Sequence, residues 1–184
     1  IKGITKLLGD HNVRNIMAAV CSCKLAGIPD QIIQAGIASF NGLEHRLERV
    51  GEYNGIIFYN DSIATIPEAA IEAVKALGSV DTMILGGYDR GIDYDVLVDF
   101  IAHAQIKNVI LLGKVGARLF DGLKKLDNIE TELISVSSLE EAVAIAKEIT
   151  PKPGVCLLSP AAASYDSFEN FEERGKMYKK LVMG

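Results

Sequence analysis

Asp61 is the first residue whose type and position suggest chemistry. It comes two residues after a predicted apolar strand that ends at Tyr59, and Thr65 follows shortly before a predicted helix. A carboxylate at the end of a buried strand is costly to desolvate unless it contacts a ligand or a hydrogen-bond donor. Helix capping is the alternative role of this segment, with Ser62 or Thr65 as the N-cap and Glu68 completing a capping box. Both interpretations stay open, although capping does not account for Asp61.

Two glycine-rich loops follow later predicted strands. The first, residues 86–91 (GGYDRG), allows close backbone approach and places the cation of Arg90 at the sheet edge. The second, residues 113–116 (GKVG), opens a helix and could hold an anion on its free N–H groups. Neither spacing fits the dinucleotide fingerprint or the phosphate-binding P-loop. A plain glycine turn is therefore the alternative for the first loop and the favoured interpretation of the second.

Small side chains dominate the segment after the last predicted strand, residues 159–168 (SPAAASYDSF), which leaves room for a ligand. The histidines supply little catalytic signal, and His103 is expected on a helix surface. No spacing of His, Cys and carboxylates suggests a metal site, and no Ser-His-Asp order accompanies a nucleophile elbow. The residues therefore predict a site that binds charged small molecules and carries neither a catalytic nucleophile nor a metal.

A sheet is needed to bring these loops together, and the hydrophobic pattern predicts one. The predicted strands are residues 46–50, 56–59, 82–85, 108–112, 131–135 and 155–158. The predicted helices are residues 13–25, 29–38, 67–77, 94–104, 115–126, 139–149 and 168–181. Asn54-Gly55 predicts a hairpin between the first two of these strands, and residues 1–8 are also strand-like.

Apolar strands that alternate with helices imply right-handed crossovers and a mainly parallel sheet covered on both faces. We therefore predict a Rossmann-like, doubly wound α/β domain with an N-terminal hairpin strand, preceded by a small helical segment. In such sheets ligands bind outside the carboxyl ends of the strands, where all the candidate loops lie.

Composition excludes several classes of function. The chain has 184 residues, of which 49% are hydrophobic, enough for a folded core. Its formal charge is -5, from 19 Lys and Arg against 24 Asp and Glu, which argues against nucleic acid as a partner. The longest apolar stretches fall far short of the about 20 residues of a membrane helix, and no signal-peptide pattern is present. We expect a soluble cytoplasmic protein with neither a nucleic-acid nor a membrane partner.

Five segments resemble the Mur ligases in order and spacing. They are residues 9–15 (GDHNVRN), 42–48 (GLEHRLE), 60–65 (NDSIAT), 86–91 (GGYDRG) and 158–175, which includes LSPAAASYDSF and NFEERG. The resemblance is closest to the members that add glutamate to UDP-N-acetylmuramoyl-L-alanine. It implies an ATP-dependent amide ligase of peptidoglycan synthesis, in which ATP phosphorylates the carboxylate of that nucleotide and the glutamate amine attacks the acyl phosphate.

The family has three domains, and the resemblance also implies a domain organisation. Residues 1–40 would end the central ATPase domain, and residues 41–184 would form the C-terminal, glutamate-binding domain. The chain begins with Ile1 rather than Met, which suggests a fragment. The family's phosphate-binding Gly-Lys-Thr loop, magnesium ligands and carbamylated lysine would then lie in the absent part. We expect a monomer that needs ATP and Mg²⁺ in its complete form and is inactive as this chain alone.

Individual site residues follow from the same resemblance. The expected ATP-binding residues are Asn12, Asn15, Arg46 and Asp61. The first two would lie beside the adenine, and the last two would approach the phosphates and ribose when the domains close. The expected glutamate-binding residues are Thr65, Arg90, Ser164, Tyr165 and Phe171. A dicarboxylate needs cationic and hydroxyl donors, which Arg90, Thr65 and Ser164 provide.

Two positions depart from the family pattern. Ile63 stands where the D-glutamate-adding members usually have a lysine that contacts the amino acid's carboxylate, and Ile66 replaces a usual asparagine. Such remodelling leaves D-glutamate and L-glutamate both open as substrates. Two other classes remain as alternatives. One is a dinucleotide-binding oxidoreductase, disfavoured because no strand-to-helix turn shows G-x-G-x-x-G. The other is a non-catalytic module that binds an amino acid or a nucleotide.

Overall fold

The chain divides into two compact units, Ile1–Glu44 and His45–Gly184. The computed structural model describes residues 3–126 and 129–184. The first unit holds helices α1 (Asp10–Leu25) and α2 (Asp30–Ser39). Gly27, with a φ of +76°, follows the end of α1 in a left-handed conformation that glycine adopts without strain.

The prediction of a strand over residues 1–8 is wrong for residues 3–8. Residues 3–8 form a turn and irregular backbone, and residues 1 and 2 lie outside the described residues. A strand needs a neighbour to satisfy its backbone hydrogen bonds, and the described residues of this unit provide none.

The second unit is built on a sheet with the strand order β1-β2-β6-β3-β4-β5. The strands are β1 (Glu48–Tyr53), β2 (Ile56–Asn60), β3 (Thr82–Gly86), β4 (Asn108–Leu112), β5 (Glu132–Val136) and β6 (Gly154–Leu158). The hairpin pair β1 and β2 is antiparallel, and the other neighbours pair in parallel. The predicted fold, a mainly parallel α/β sheet with an N-terminal hairpin strand, is confirmed.

Helices cover both faces of this sheet. They are α3 (Pro67–Leu77), α4 (Asp95–His103), α5 (Gly113–Lys124), α6 (Leu139–Ile149) and α7 (Phe171–Met183). Successive strand residues point to opposite faces. Met83 and Leu85 of β3 accordingly share one core with α3, α4 and α5, whereas Ile84 shares the other core with α6 and α7. Within residues 3–126 and 129–184, no helix is both long enough and apolar enough to cross a membrane.

Two element starts differ from prediction, and an N-cap explains the second. β1 begins at Glu48 rather than at residue 46, so Arg46 lies before the strand. α7 begins at Phe171 rather than at residue 168, because Asn170 is its N-cap and accepts a hydrogen bond from the Glu173 N–H. The other boundaries differ by a few residues at most.

The capping box expected at Thr65 and Glu68 was wrong. Ile66 is the N-cap of α3 and makes no side-chain capping hydrogen bond. Pro67 occupies the first turn of the helix, where its missing N–H is not needed. Thr65 therefore lies outside the helix, in the loop after β2.

Candidate functional site

Three loops meet at the carboxyl edge of the sheet, where the neighbouring parallel strands β2, β6 and β3 end. The Asp61 N–H donates to the carbonyl oxygen of Leu158 at 2.8 Å, and the Gly86 N–H donates to that of Pro160, also at 2.8 Å. These bonds extend the strand pairing into the loops. The segments that the sequence singled out after β2, β3 and β6 therefore lie side by side.

Asp61 is buried at this edge, with 5% of its surface exposed. Its Oδ1 accepts a hydrogen bond from the Leu47 N–H at 3.0 Å, and its Oδ2 accepts one from the Ser159 hydroxyl at 2.8 Å. Burial raises the pKa of Asp61 to about 6, although both hydrogen bonds and the charge of Arg46 favour the carboxylate. Arg46 and Asp61, both expected near ATP, thus lie close enough to interact electrostatically.

The residues expected to bind glutamate lie on these loops and at the start of α7. Arg90 is exposed, and its Nη2 donates to the Thr65 carbonyl oxygen at 2.6 Å. The Tyr88 N–H donates to the carbonyl oxygen of Ala163 at 2.9 Å, and the Tyr88 ring lies 6.2 Å from that of Tyr165. The structure thus brings Arg90 into contact with Thr65 and places the Tyr165 loop beside the loop that carries Arg90.

Ser164, in the loop after β6, and Phe171, at the start of α7, are the remaining residues expected to bind glutamate. Ser164 is 2% exposed, and its carbonyl oxygen accepts the Phe168 N–H at 2.8 Å, which folds the loop into a turn. The Phe171 carbonyl oxygen accepts the Ser62 hydroxyl at 2.8 Å. This bond ties the start of α7 to the loop after β2.

Asn12 and Asn15, expected beside the adenine, form a pair on α1 of the first unit. The Asn12 Nδ2 donates to the Leu8 carbonyl oxygen at 2.8 Å, and the Asn15 Nδ2 donates to the Asn12 Oδ1 at 3.4 Å. Asn15 is exposed, so its amide is accessible in this unit.

The second glycine loop is arranged as a turn rather than as an anion site. A Cβ on Gly113 would lie 2.6 Å from the Asp166 Oδ2, so a carboxylate already occupies that position. The Val115 N–H donates to the Gly87 carbonyl oxygen at 3.1 Å instead of remaining free. A cavity of about 340 Å³ adjoins this loop and has Asp166 and Arg174 among its lining residues. The Asp166 carboxylate disfavours an anion at the Gly113 turn.

Clusters of metal-ligating side chains are absent from the described part of the chain. Within residues 3–126 and 129–184, no group of three or more His, Cys, Asp or Glu side chains could hold a metal ion. Mg²⁺ prefers carboxylate oxygens and substrate phosphates as ligands. Asp61, the carboxylate at the sheet edge, engages both of its oxygens with the Leu47 N–H and the Ser159 hydroxyl.

Sequence reasoning missed a buried polar network around His45. His45 is 2% exposed, and its Nδ1 lies 2.9 Å from the Asn60 Nδ2. The Asn60 Nδ2 also donates to the Glu48 Oε2 at 3.1 Å, and the Glu48 Oε1 accepts the Lys179 Nζ at 2.9 Å. This network fixes the segment that carries Arg46 against β2 and α7. Its members come from the segment before β1, from β1 and β2 and from α7, so no pattern within one element indicated it.

The family model described as "Mur ligase, glutamate ligase domain" matches residues 45–162. The chain belongs to the Mur ligase family. Curated Mur ligase relatives extend the similarity. The UDP-N-acetylmuramoylalanine–D-glutamate ligase of Caldanaerobacter subterraneus subsp. tengcongensis is 43% identical over 95% of this chain and 39% of that protein. The ligase of the same name from Lachnospira eligens is 40% identical over 96% of this chain and 38% of that protein. The chain thus spans about two fifths of these relatives.

Solved structures show the same fold at low sequence identity. The UDP-N-acetylmuramate-alanine ligase of Thermotoga maritima superimposes with a TM-score of 0.71 at 16% identity, over 97% of this chain and 39% of that one. The ADP complex of Mycobacterium tuberculosis folylpolyglutamate synthase gives a TM-score of 0.71 at 15% identity, over 96% of this chain and 41% of that one. The fold of this Mur ligase chain is therefore shared with ligases of other names.

Arg174 of the Mur ligase chain is a second residue that sequence reasoning missed. It is 4% exposed, and its Nη2 donates to the carbonyl oxygens of Ser62 at 2.8 Å and Ala162 at 3.0 Å. The available sequence signal for Arg174 was its place in the NFEERG segment, within a predicted helix that has a buried face. Nothing in that segment identified its partners, which lie in two other loops.

Proposed function

We propose that this chain is part of an ATP-dependent ligase that adds D-glutamate to UDP-N-acetylmuramoyl-L-alanine in peptidoglycan synthesis. The observation that carries the proposal is the convergence of Asp61, Thr65 and Arg90 at one edge of the sheet. The D-glutamate ligases that are 43% and 40% identical to the chain support the choice of substrate.

The proposed reaction has two steps. The terminal phosphoryl group of ATP is transferred to the carboxylate of UDP-N-acetylmuramoyl-L-alanine, which forms an acyl phosphate and releases ADP. The neutral amine of glutamate then attacks the acyl carbon, the amide bond forms, and phosphate leaves while the amine loses a proton. Water would hydrolyse the acyl phosphate, so a domain that closes over the reactants and excludes water favours amide formation.

The glutamate site would be formed by Arg90, Thr65, Ser164, Tyr165 and Phe171. Arg90 supplies the positive charge for a carboxylate, and its guanidinium is already held by the Thr65 carbonyl oxygen at 2.6 Å. The hydroxyls of Thr65 and Ser164 supply further donors. A charge-assisted contact of this kind is the strongest single interaction that a dicarboxylate can make with these loops.

For ATP, the proposed residues are Asn12 and Asn15 of the first unit on the adenine side, and Arg46 and Asp61 of the second unit for the phosphates and ribose. The two asparagine amides suit the donor and acceptor pattern of adenine. Arg46 suits the phosphates, and Asp61 orients the segment that carries Arg46 by accepting the Leu47 N–H. ATP in such ligases is accompanied by Mg²⁺, whose ligands we expect outside residues 1–184. Because ATP and the nucleotide substrate are intracellular, we also propose that the enzyme acts in the cytoplasm. We further propose that it is a monomer.

Ile63 and Ile66 do not prevent D-glutamate from being the substrate. Ile63 removes one cation from the pocket, so the carboxylate would rely more heavily on Arg90. The relatives named D-glutamate ligases favour D-glutamate over its enantiomer. The L-glutamate option is therefore retained only as an outcome of the test.

The test uses the product of the complete open reading frame that contains this chain. It is incubated with ATP, Mg²⁺, UDP-N-acetylmuramoyl-L-alanine and either D- or L-glutamate. The products are identified by mass spectrometry. We expect the amide product with D-glutamate, together with equimolar ADP and phosphate. The 184-residue chain alone is the control and is expected to release no phosphate. Product only with L-glutamate would reject the proposed substrate, and product with neither would reject the ligase function.

A further inference from the structure

One guanidinium joins two of the three loops at the sheet edge. Arg174 projects from α7, and its Nε donates to the Ser62 hydroxyl at 3.0 Å. Its Nη2 donates to the Ser62 carbonyl oxygen at 2.8 Å and to the Ala162 carbonyl oxygen at 3.0 Å. The side chain therefore links the loop after β2 to the loop after β6.

The third loop, which follows β3, packs against the same guanidinium of Arg174. A Cβ on Gly87 would lie 3.3 Å from the Arg174 Nη1 and would collide with the carbonyl oxygen of Ala163. The φ of Gly87 is +141°, a conformation that residues with a side chain rarely adopt. Glycine at position 87 therefore lets the loop after β3 lie directly against Arg174.

Ser62 extends this junction to the start of α7. Its hydroxyl accepts a hydrogen bond from Arg174 and donates one to the Phe171 carbonyl oxygen at 2.8 Å. One hydroxyl thus takes part in two hydrogen bonds, and each joins the loop after β2 to α7.

Core packing alone does not explain an arginine at this position. Arg174 is 4% exposed, and burial lowers its pKa to about 10 although the Asp166 carboxylate favours the charge. A buried guanidinium is usually no more stabilising than a well-packed apolar side chain of similar size. Its planar fork can, however, hold several acceptors in fixed directions at once.

We propose that Arg174 and Ser62 are the positioning pair of the amino-acid pocket, a role that rests on the proposed function. Thr65 follows Ser62 by three positions, and Ser164 follows Ala162 by two. Arg90 lies on the loop that Gly87 opens. The pair fixes these loops relative to one another, so the donors for both carboxylates of glutamate are in place before the substrate arrives.

Ser62→Ala is the main test, made in the product of the complete open reading frame. The variant keeps the backbone bond to Arg174 and loses only the hydroxyl, so folding is expected to survive. We expect the KM for D-glutamate to rise at least about tenfold, because the variant loses both hydrogen bonds of this hydroxyl, to Arg174 and to Phe171. The KM for ATP is expected to change by less than about twofold, because the ATP-side residues do not depend on this hydroxyl.

Arg174→Lys is the second variant. It keeps the positive charge but loses the planar set of guanidinium donors. A lysine ammonium cannot satisfy the Ser62 hydroxyl and both carbonyl oxygens in the same geometry. We expect the KM for D-glutamate to rise more than in Ser62→Ala. If Arg174→Lys fails to fold, Ser62→Ala alone carries the test.

Thr150→Val is the matched control, because it removes a buried hydroxyl at the opposite end of the sheet. The Thr150 Oγ1 lies 2.8 Å from the Thr82 Oγ1 and 2.6 Å from the Ala146 carbonyl oxygen. We expect reduced thermal stability with an unchanged KM for D-glutamate. An equal rise in Ser62→Ala and Thr150→Val, or no rise in Ser62→Ala, would overturn the positioning role while leaving the ligase function intact. A wild-type enzyme that does not ligate glutamate would overturn both.

Discussion

Asp61 is buried and accepts two hydrogen bonds. Its protonation should change the free energy of unfolding with pH. Burial raises its pKa from 3.8 to about 6 in the folded chain. Between about pH 4 and 6 the folded chain therefore holds a proton that the unfolded chain has released, so the free energy of unfolding falls as the pH rises. Asp61→Asn lacks this titration. We expect the variant to gain on the order of 2–3 kcal/mol relative to wild type between pH 4 and pH 7, measured by urea unfolding. A difference that stays constant with pH would contradict the shifted pKa.

Arg90 and Arg46 are expected to act on different substrates. Arg90→Ala should raise the KM for D-glutamate roughly tenfold to a hundredfold, since a hydrogen bond to a charged group contributes ~1.5–3 kcal/mol. Arg46→Ala should instead raise the KM for ATP. Steady-state kinetics on both variants of the complete enzyme measures the split, with each variant serving as the control for the other. Equal changes in both constants would show that the site is divided differently.

Single residues were predictable from the sequence where a strand ended in a polar side chain. Asp61 and Arg90 were placed at the carboxyl edge of the sheet because they follow predicted strands, and their binding roles stay predictions. His45 and Arg174 were missed, because their roles depend on partners in distant segments. Their burial follows from tertiary packing, which hydrophobic periodicity does not reveal.

The elements were predictable because buried parallel strands are short and apolar and the helices between them are amphipathic. β4 and α6 begin and end where the pattern placed them. β1 was less regular, and a register irregularity between Arg49 and Gly51 interrupts its pairing with β2. Local capping decided the start of α7, where Asn170 competes with the apolar pattern that begins at Phe168.

The start of α3 offers a stability prediction at this scale. Ile66 is its N-cap, with extended backbone at φ -138° and ψ 154° and a side chain 44% exposed. An asparagine there can accept a backbone N–H of the first turn, so Ile66→Asn should stabilise the chain by about 1 kcal/mol. Differential scanning calorimetry should show Tm rising by about 2–4 °C. Ile66→Ala adds no capping oxygen and is expected to give no increase, so a similar increase in both variants would exclude capping as the cause.

At the scale of the whole molecule, the proposed function assigns the amino-acid site to this chain. In the proposed enzyme, the loops at the carboxyl edge of the sheet would offer donors for a dicarboxylate and an arginine for phosphates. Within the described residues they offer no cluster of metal ligands. In the proposed function, this chain would position the amino acid, and ATP with Mg²⁺ would supply the phosphoryl group.

The acyl phosphate is the central claim, and oxygen-18 tests it most directly. UDP-N-acetylmuramoyl-L-alanine labelled with oxygen-18 in its carboxylate is converted by the complete enzyme with ATP, Mg²⁺ and D-glutamate, and the released phosphate is analysed by mass spectrometry. Attack of the amine on an acyl phosphate leaves one carboxylate oxygen on the departing phosphate. We predict one labelled oxygen in each phosphate released. Unlabelled phosphate accompanying the amide product would contradict the mechanism, and phosphate release without any amide product would contradict the ligase function.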